Sequence, residues 1–289
     1  CFLKPDGTYD WSKQSGYLWF TKKARAYGVE TLIAFSNTPP VWMNQNGLGY
    51  KTAKDHRSNL KLDQYDAYAD FLARVWQHFD KEGLHFDYIS PVNEPQWDWS
   101  NPYGEASQEG TAWTNEEVVR VAGALDTALA RVKANTKILL SEAGHLQYLY
   151  AQEGTASHQI QALKKGGVYG LSHVPAIIGG HSYFTDNGDS SRRVIREHVR
   201  DTAAKYGLQY WQTEYSMLAD GYKEGHEGPR TAMDCALFLA KVIHDDFVYG
   251  NASAWQFWNS WEPGRADMDT RYYLVALHPK DNSYKDGTV

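Results

Sequence analysis

The sequence has little cysteine, no long apolar run and no excess of positive charge. Only two of its 289 residues are cysteines, Cys1 and Cys235, and two are too few for a disulfide framework. No window approaches the run of about 18 apolar residues that marks a membrane helix, so no membrane span is predicted. A formal net charge of -6 provides no basic surface for a phosphate backbone. We therefore expect no nucleic-acid partner, and no feature implies an obligate protein partner.

Motifs for metals, nucleotides and export are also missing. The 11 histidines include no HExxH helix, and no cysteine pair has ligand spacing, so no metal is predicted. Neither a G-x-G-x-x-G nor a G-x-x-x-x-G-K-[ST] pattern occurs, so nucleotide cofactors are not implied and we expect no cofactor. The opening CFLKPDGTYDW lacks the basic segment, apolar core and cleavage site of a signal peptide.

Aromatic residues are abundant. The chain has 11 Trp, 20 Tyr and 10 Phe, together 14% of its residues, and many of the tryptophans stand near Pro, Asn and Gly. A pyranose ring has an apolar face rimmed by hydroxyls, and amphipathic aromatic rings can stack on such a face. Part of the aromatic set is expected in the core, and the rest predicts a surface that binds a neutral sugar.

Short β-rich runs alternate with longer helical runs, as in a parallel sheet with crossover helices. Six strands are predicted: Thr31 to Phe35, Tyr88 to Val92, Lys137 to Ser141, Ala176 to Gly179, Gln209 to Thr213 and Ala252 to Phe257. Five helices are predicted: Ser15 to Tyr27, Leu62 to Glu82, Asn115 to Lys133, Ser191 to Tyr206 and Pro229 to Asp246. No linker or repeat divides the chain, so residues 1–289 are expected to form one domain.

This pattern predicts the α/β class and a (β/α)₈ TIM-type barrel. Such a barrel has eight strands and typically about 250 residues, whereas six strands are predicted here. The first predicted helix precedes the first predicted strand. We therefore expect an incomplete barrel that lacks its N-terminal strands, and a chain that is a fragment of a catalytic domain.

The strongest local motif is SPVNEPQWDW, in which Asn93 and Glu94 directly follow an apolar strand. In barrel enzymes the loops after the strands converge on the active site, so this placement predicts a catalytic carboxylate. The alternative is a glutamate that caps a helix or lies on the surface. The flanking Trp97 and Trp99 favour the catalytic interpretation, and Trp97 is predicted to bind substrate.

A second motif, YWQTEYSM, places Glu214 at the end of a later strand. Cleavage of a glycosidic bond needs two carboxyl groups: one protonates the leaving oxygen, and the other attacks the anomeric carbon or activates water. A single glutamate at a strand end commonly forms only a loop salt bridge. Glu94 and Glu214 at matching strand ends together favour catalysis.

Three further residues follow predicted strands. Glu142 in LLSEAGH is the main rival for either catalytic role, and it could instead bind sugar, orient a partner or pair with a base. His181 and Tyr183 lie in GGHSYF. Tyr183 is predicted to hold the nucleophile's carboxylate through its phenol, and the alternative is a packed core tyrosine.

The motifs NEP, TEYS, SNTPPVWM and WQFWNSW together resemble glycoside hydrolase family 30. The set that includes YYLVALHPKDNSYKDGTV is most similar to the endo-β-1,6-galactanase group. The resemblance spans most of the chain. It implies a barrel with an accessory β-sandwich built partly from the far C-terminus, and we expect that the sandwich and the first barrel strands are absent here.

The resemblance also implies residue roles. Glu94 would be the acid/base, Glu214 the nucleophile, and Asn93 a hydrogen-bond donor near the sugar 2-hydroxyl. The subsite at the scissile bond would be lined by Trp42, His181, Tyr183 and Trp258. The implied mechanism is double displacement with retention of anomeric configuration.

Two alternatives remain open at this point. One is another family 30 activity, on β-1,6-glucan, xylan or a glucosyl lipid. The other is a non-catalytic carbohydrate-binding protein that uses the aromatic surface alone. The expected partner is an oligosaccharide or polysaccharide, and because polymeric glycans lie outside most cells, a secreted or periplasmic location is expected.

Overall fold

A computed structural model describes residues 1–218, 233–263, 274–277 and 287–288. The helices are Ser15–Ala26 (α1), Tyr65–Lys81 (α2), Asn115–Arg131 (α3), Gln147–Tyr150 (α4), Gln159–Lys165 (α5), Asp189–Lys205 (α6) and Met233–Val248 (α7), with short 3-10 turns at Val41–Met43 and Val168–Gly170. The strands are Ile33–Phe35 (β1), Tyr88–Ser90 (β2), Lys137–Ile138 (β3), Ile177–His181 (β4), Gln209–Glu214 (β5), Ala252–Trp255 (β6), Trp261–Pro263 (β7), Val275–Leu277 (β8) and Gly287–Thr288 (β9).

The chain divides into two compact units. The first unit comprises Cys1–Glu142 and Glu153–Ala176, and the second comprises Ala143–Gln152 and Ile177–Val289. The assignment of residues 1–289 to one domain stays a prediction. Among the residues that the structure describes, no helix is long and apolar enough to cross a bilayer.

The first unit contains a parallel sheet of order β1-β2-β3. Helix α2 packs against α3 and buries Tyr68, Leu72 and Phe79, which recur at helical spacing on one face. A capping box starts α3: the N–H of Glu117 donates to Oγ1 of Thr114, and the N–H of Thr114 donates to the Glu117 carboxylate. The phenol of Tyr68 donates to the carbonyl of Pro91 at 2.8 Å, so α2 contacts the segment that follows β2.

The second unit contains a parallel sheet of order β4-β5-β6, against which α6 and α7 pack. The register shifts at the end of β4 and pairs His181 with Glu214, the last residue of β5. A buried apolar cluster lies beside these strands and comprises Tyr183, Tyr215, Met217, Cys235, Phe238 and Val242.

All six predicted strands are present, with shifted ends. Strands β4 and β5 continue to His181 and Glu214, so both site candidates are strand residues. The predicted strand Lys137 to Ser141 ends at Ile138. Leu139, Leu140 and Ser141 are buried but lie beyond the residues that pair with β2. Apolar character predicts burial, whereas residue pairing decides where a strand ends. The predicted helix start at Pro229 lies outside the described residues.

Within the described ranges, two short helices and three short strands were not predicted, besides the two 3-10 turns. They are α4, α5 and the three strands of a C-terminal sheet of order β7-β8-β9, in which β7 and β8 are parallel and β8 and β9 antiparallel. Each of these strands has two or three residues. Segments of that length carry too few alternating positions to show a period.

Candidate active site

The loop after β2 holds Glu94 through its main chain. The N–H of Glu94 donates to the carbonyl of Glu142 at 2.9 Å. The Glu94 carbonyl accepts the N–H of Trp97 at 3.2 Å and the indole N–H of Trp99 at 3.1 Å. The side chain of Glu94 is 8% exposed. Three hydrogen bonds therefore fix the backbone of a buried carboxylate at the predicted position.

Glu94 and Glu142 share an uncommon backbone conformation. Their φ angles are +43° and +59°, in the left-handed region that residues other than glycine seldom occupy. Such strain persists only where the surrounding structure imposes it, and it clusters at functional sites. Glu142 is also buried. The main chains of two buried glutamates are thus adjacent in the first unit.

Close packing against a glycine holds Trp99 in this loop. A Cβ atom added to Gly110 would lie 2.4 Å from Cδ2 of Trp99, so any larger residue would displace the indole. Nearby, the N–H of Trp113 donates to the carbonyl of Pro95 at 2.9 Å. No local pattern in the sequence indicates that Gly110 supports the Glu94 loop.

Three other predicted substrate residues lie in the first unit. Asn93 and Trp97 are half-buried in the Glu94 loop. Trp42 lies in the 3-10 turn after β1, where its carbonyl accepts a hydrogen bond from Nζ of Lys61 at 2.9 Å. The structure gives their positions, and substrate contact by Asn93, Trp42 and Trp97 stays a prediction.

The second unit brings three predicted residues together. The phenol of Tyr183 donates to Oε1 of Glu214 at 2.9 Å. Nε2 of His181 lies 4.0 Å from Oε2 of the same carboxylate. The His181 and Tyr183 rings meet edge to face, with centroids 5.8 Å apart. The geometric prediction that Tyr183 holds Glu214 is therefore matched by the structure, while its catalytic meaning remains a prediction.

This arrangement suits a nucleophilic carboxylate. Glu214 is half-buried, whereas His181 and Tyr183 are buried. A hydrogen bond donated to a carboxylate favours its ionised form and restricts its rotation. His181 adds an attractive charge only when it is protonated. A neutral donor thus orients the Glu214 carboxylate. Because Glu214 is only half-buried, part of its side chain is accessible to a substrate.

Trp258 follows β6 in the same unit. Its main-chain N–H donates to the carbonyl of Tyr215 at 2.8 Å, so it is tied to the residue directly after Glu214. Trp258 is 38% exposed, which leaves ring surface available. Its contact with sugar stays a prediction, as do the predictions that no metal and no cofactor take part.

The second unit contains a set of buried charges that was not predicted from the sequence. This buried charge network consists of five side chains: Asp186, Arg192, Arg196, Asp245 and Asp246. The available signal was the spacing of Arg192 and Arg196, four residues apart on the face of α6 that also buries Ile195 and Val199. Arginines on an apolar face need buried partners.

Comparison with known proteins identifies relatives by sequence. The family model of O-glycosyl hydrolase family 30 matches residues 1–269. The endo-β-1,6-galactanase of Hypocrea rufa is 22% identical over 257 residues, which cover 88% of this chain and 46% of that protein. The chain therefore spans less than half the length of this relative.

Two solved structures are similar over the whole chain. A conserved exported protein from Bacteroides fragilis is 30% identical with a TM-score of 0.89, and the match covers 100% of this chain and 60% of that one. The catalytic domain of family 30 xylanase C from Talaromyces cellulolyticus is 20% identical with a TM-score of 0.68, covering 100% and 59%. The similarity to the xylanase domain shows the fold, and the family model shows the family. The chain belongs to glycoside hydrolase family 30.

Proposed function

We propose that this chain carries the catalytic residues of a retaining glycoside hydrolase, with Glu214 as nucleophile and Glu94 as acid/base. The observation that carries the proposal is the 2.9 Å hydrogen bond from the Tyr183 phenol to Oε1 of Glu214. It fixes the orientation of the carboxylate that is proposed to attack the anomeric carbon. The hydrogen bonds that fix the main chain of Glu94 in the loop after β2 support its role as a proton donor, because a general acid must be held in place at the leaving oxygen.

The reaction has two steps. In the first, a Glu214 oxygen bonds to the anomeric carbon as the glycosidic bond breaks, and the proton of Glu94 passes to the leaving oxygen. In the second, ionised Glu94 takes a proton from water, whose oxygen displaces Glu214 from the anomeric carbon. Two inversions give net retention. The mechanism requires the two carboxyl groups at one glycosidic bond, about 5 to 5.5 Å apart.

The remaining predicted residues take supporting roles in this proposal. Asn93 would donate to the sugar 2-hydroxyl, and His181 would adjoin Oε2 of the nucleophile, from which its Nε2 lies 4.0 Å. The aromatic residues Trp42, Trp97 and Trp258 would offer apolar planes to pyranose faces. The exposed part of Trp258 supports its assignment.

We propose a β-1,6-galactan as the substrate. The support is similarity over 88% of the chain to a protein named endo-β-1,6-galactanase. Action on xylan, β-1,6-glucan or a glucosyl lipid is the alternative within the family. A polymeric substrate and a relative described as exported support a secreted or periplasmic location. We also propose that β1 to β6 are six strands of a (β/α)₈ barrel.

Covalent trapping tests the nucleophile directly. The purified protein is incubated with a fluorinated dinitrophenyl β-galactoside, which forms the glycosyl-enzyme but slows its hydrolysis. Peptide mass spectrometry is expected to find the sugar on Glu214, and Glu214→Gln is expected to prevent labelling. Glu142→Gln is the matched control and should still be labelled. A label on Glu142 or Glu94 would contradict the assignment.

Stereochemistry and substrate range complete the test. Proton NMR during hydrolysis is expected to show the β-anomer first, and α-anomer first would overturn the retaining mechanism. Release of reducing ends should be faster from β-1,6-galactan than from β-1,6-glucan or xylan. Binding of galactan without turnover or labelling would instead support the non-catalytic carbohydrate-binding alternative.

A further inference from the structure

The buried charge network of the second unit has no part in the proposed chemistry, yet it lies beside the nucleophile. Side chains of Arg196 and Asp246 are fully buried, with Nε of Arg196 2.7 Å from Oδ1 of Asp246. Nε of Arg192 lies 2.6 Å from Oδ2 of Asp245. Removing paired charges from water often costs more than their attraction returns. Stability alone is therefore a poor reason to bury these groups.

Asp246 joins elements on both sides of the nucleophile strand. Besides Arg196, its carboxylate accepts the Ser182 hydroxyl, 3.0 Å from both oxygens, and the indole N–H of Trp255 at 3.0 Å. Ser182 directly follows β4, and Trp255 ends β6. Strand β5 runs between β4 and β6. One carboxylate on α7 thus ties together the two strand ends that flank Glu214.

Ser182 connects this carboxylate to the catalytic residues. It stands in the chain between His181 and Tyr183, the two side chains that approach Glu214. Its N–H also donates to the main-chain carbonyl of Glu214 at 3.3 Å. Ser182 is fully buried. Its position is therefore set from one side by Asp246 and from the other by β5.

A second contact anchors the residue after the nucleophile. The phenol of Tyr215 donates to Oδ2 of Asp186 at 2.6 Å, and the Asp186 carbonyl accepts Nη1 of Arg192 at 3.3 Å. The Tyr215 ring stacks near the Tyr183 ring, with centroids 6.0 Å apart and planes at 29°. The network therefore reaches the neighbours of Glu214 along two routes.

We propose that Ser182 and Asp246 are positioning residues that set the Tyr183 phenol against Glu214. The inference rests on the proposed role of Glu214 as nucleophile. The physical requirement is precision, since a reacting group displaced by about 1 Å can lose about 100-fold in rate. Without the Ser182–Asp246 contact the segment after β4 gains freedom, and the phenol no longer holds the carboxylate in one orientation.

Ser182→Ala is the first test, because it removes one hydrogen-bond donor to Asp246 and keeps the contacts of Arg196 and Trp255 with that carboxylate. We expect kcat on an aryl β-galactoside to fall by about tenfold to 100-fold with little change in KM. The acidic limb of the kcat/KM profile should move to higher pH, because a weaker phenol hydrogen bond favours the ionised nucleophile less. The matched control is Thr136→Val, which deletes a buried hydroxyl that has no hydrogen-bond partner among the described residues. This control should leave kcat and the pH profile unchanged.

A double-mutant cycle tests whether Ser182 acts through Tyr183. If it does, Ser182→Ala should cost little in a Tyr183→Phe background, and the two effects should be strongly non-additive. Additive effects, or parent-like kcat and pH profile in Ser182→Ala, would overturn the proposal. Failure of the proposed function is distinguishable: it would appear in the unsubstituted protein as absent turnover or as trapping on a residue other than Glu214.

Discussion

The main-chain N–H of Glu94 donates to the carbonyl oxygen of Glu142 at 2.9 Å. This contact places the main chain of the proposed acid/base beside that of Glu142, the residue that the sequence ranks as its rival. Their exposures, 8% and 6%, and their left-handed φ angles do not separate the two roles. Kinetic measurements can separate them, because the rate lost on removing a general acid depends on the leaving group of the substrate.

Glu94→Gln should slow hydrolysis of β-1,6-galactan by about 10²- to 10⁴-fold. Formation of the glycosyl-enzyme from a dinitrophenyl β-galactoside should change little, because that leaving group departs without a proton. Glu142→Gln should affect both substrates alike. Steady-state and pre-steady-state rates on the two substrates provide the measurement. Leaving-group dependence in Glu142→Gln, and its absence in Glu94→Gln, would reverse the assignment.

Tyr183→Phe should lower kcat/KM by about tenfold to 100-fold, since a hydrogen bond to a charged group contributes about 1.5–3 kcal/mol. The acidic limb of the pH profile should move upward, because loss of a donor to the ionised form raises the pKa of the nucleophile carboxyl. Tyr169→Phe is the control: its buried phenol has no hydrogen-bond partner within the described part of the chain. Equal profiles for the two variants would argue against the role of Tyr183.

Gly110→Ala should displace the Trp99 indole, whose Cδ2 would lie 2.4 Å from the new Cβ. We expect a loss of about 1–3 kcal/mol in the free energy of unfolding and reduced turnover, because Trp99 donates to the Glu94 carbonyl. Gly123→Ala in α3 meets no atom within 4 Å and should stabilise by about 0.5–1 kcal/mol. Urea unfolding measures both; parent-like stability and activity in Gly110→Ala would contradict the packing argument.

Asp186→Asn should change the pH dependence of stability. Burial raises the pKa of Asp186 above 3.8, although the Tyr215 phenol opposes that shift. The folded protein then binds the proton more tightly than the unfolded chain, so this carboxyl lowers the free energy of unfolding as pH rises through its folded pKa. The Tm of the variant minus that of the parent should therefore increase as pH rises from below the unfolded pKa to above the folded pKa.

Asp201→Asn provides a control of opposite sign. The hydrogen bond from Arg200 lowers the pKa of the exposed Asp201 carboxyl, so its small contribution to stability is present above the unfolded pKa and lost as pH falls. Removing that carboxyl should make the variant slightly less stable than the parent at neutral pH. Thermal unfolding across the same pH range measures both; a Tm difference for Asp186→Asn that falls with pH would reverse the sign assigned to Asp186.

The sequence by itself determined the order of the principal helices and strands and the positions of the two glutamates. Helices α2 and α3 follow from their apolar period, and strands β4 and β5 follow from short runs of residues buried within a parallel sheet. Because side-chain burial is periodic along a helix or strand, these local patterns can be recognised in the sequence without a structure. The motifs around Glu94 and Glu214 also indicated the family that the family model confirms.

Only the tertiary structure decided which groups meet across long sequence separations. The early end of β3, the left-handed backbone at Glu94 and the glycine contact beneath Trp99 depend on hydrogen bonds and packing that no local pattern records. Helical spacing shows that Arg196 lies on a buried face, but its partner Asp246 comes from another helix, 50 residues further along the chain. Buried charges must be paired, and the fold determines which carboxylate lies next to which donor.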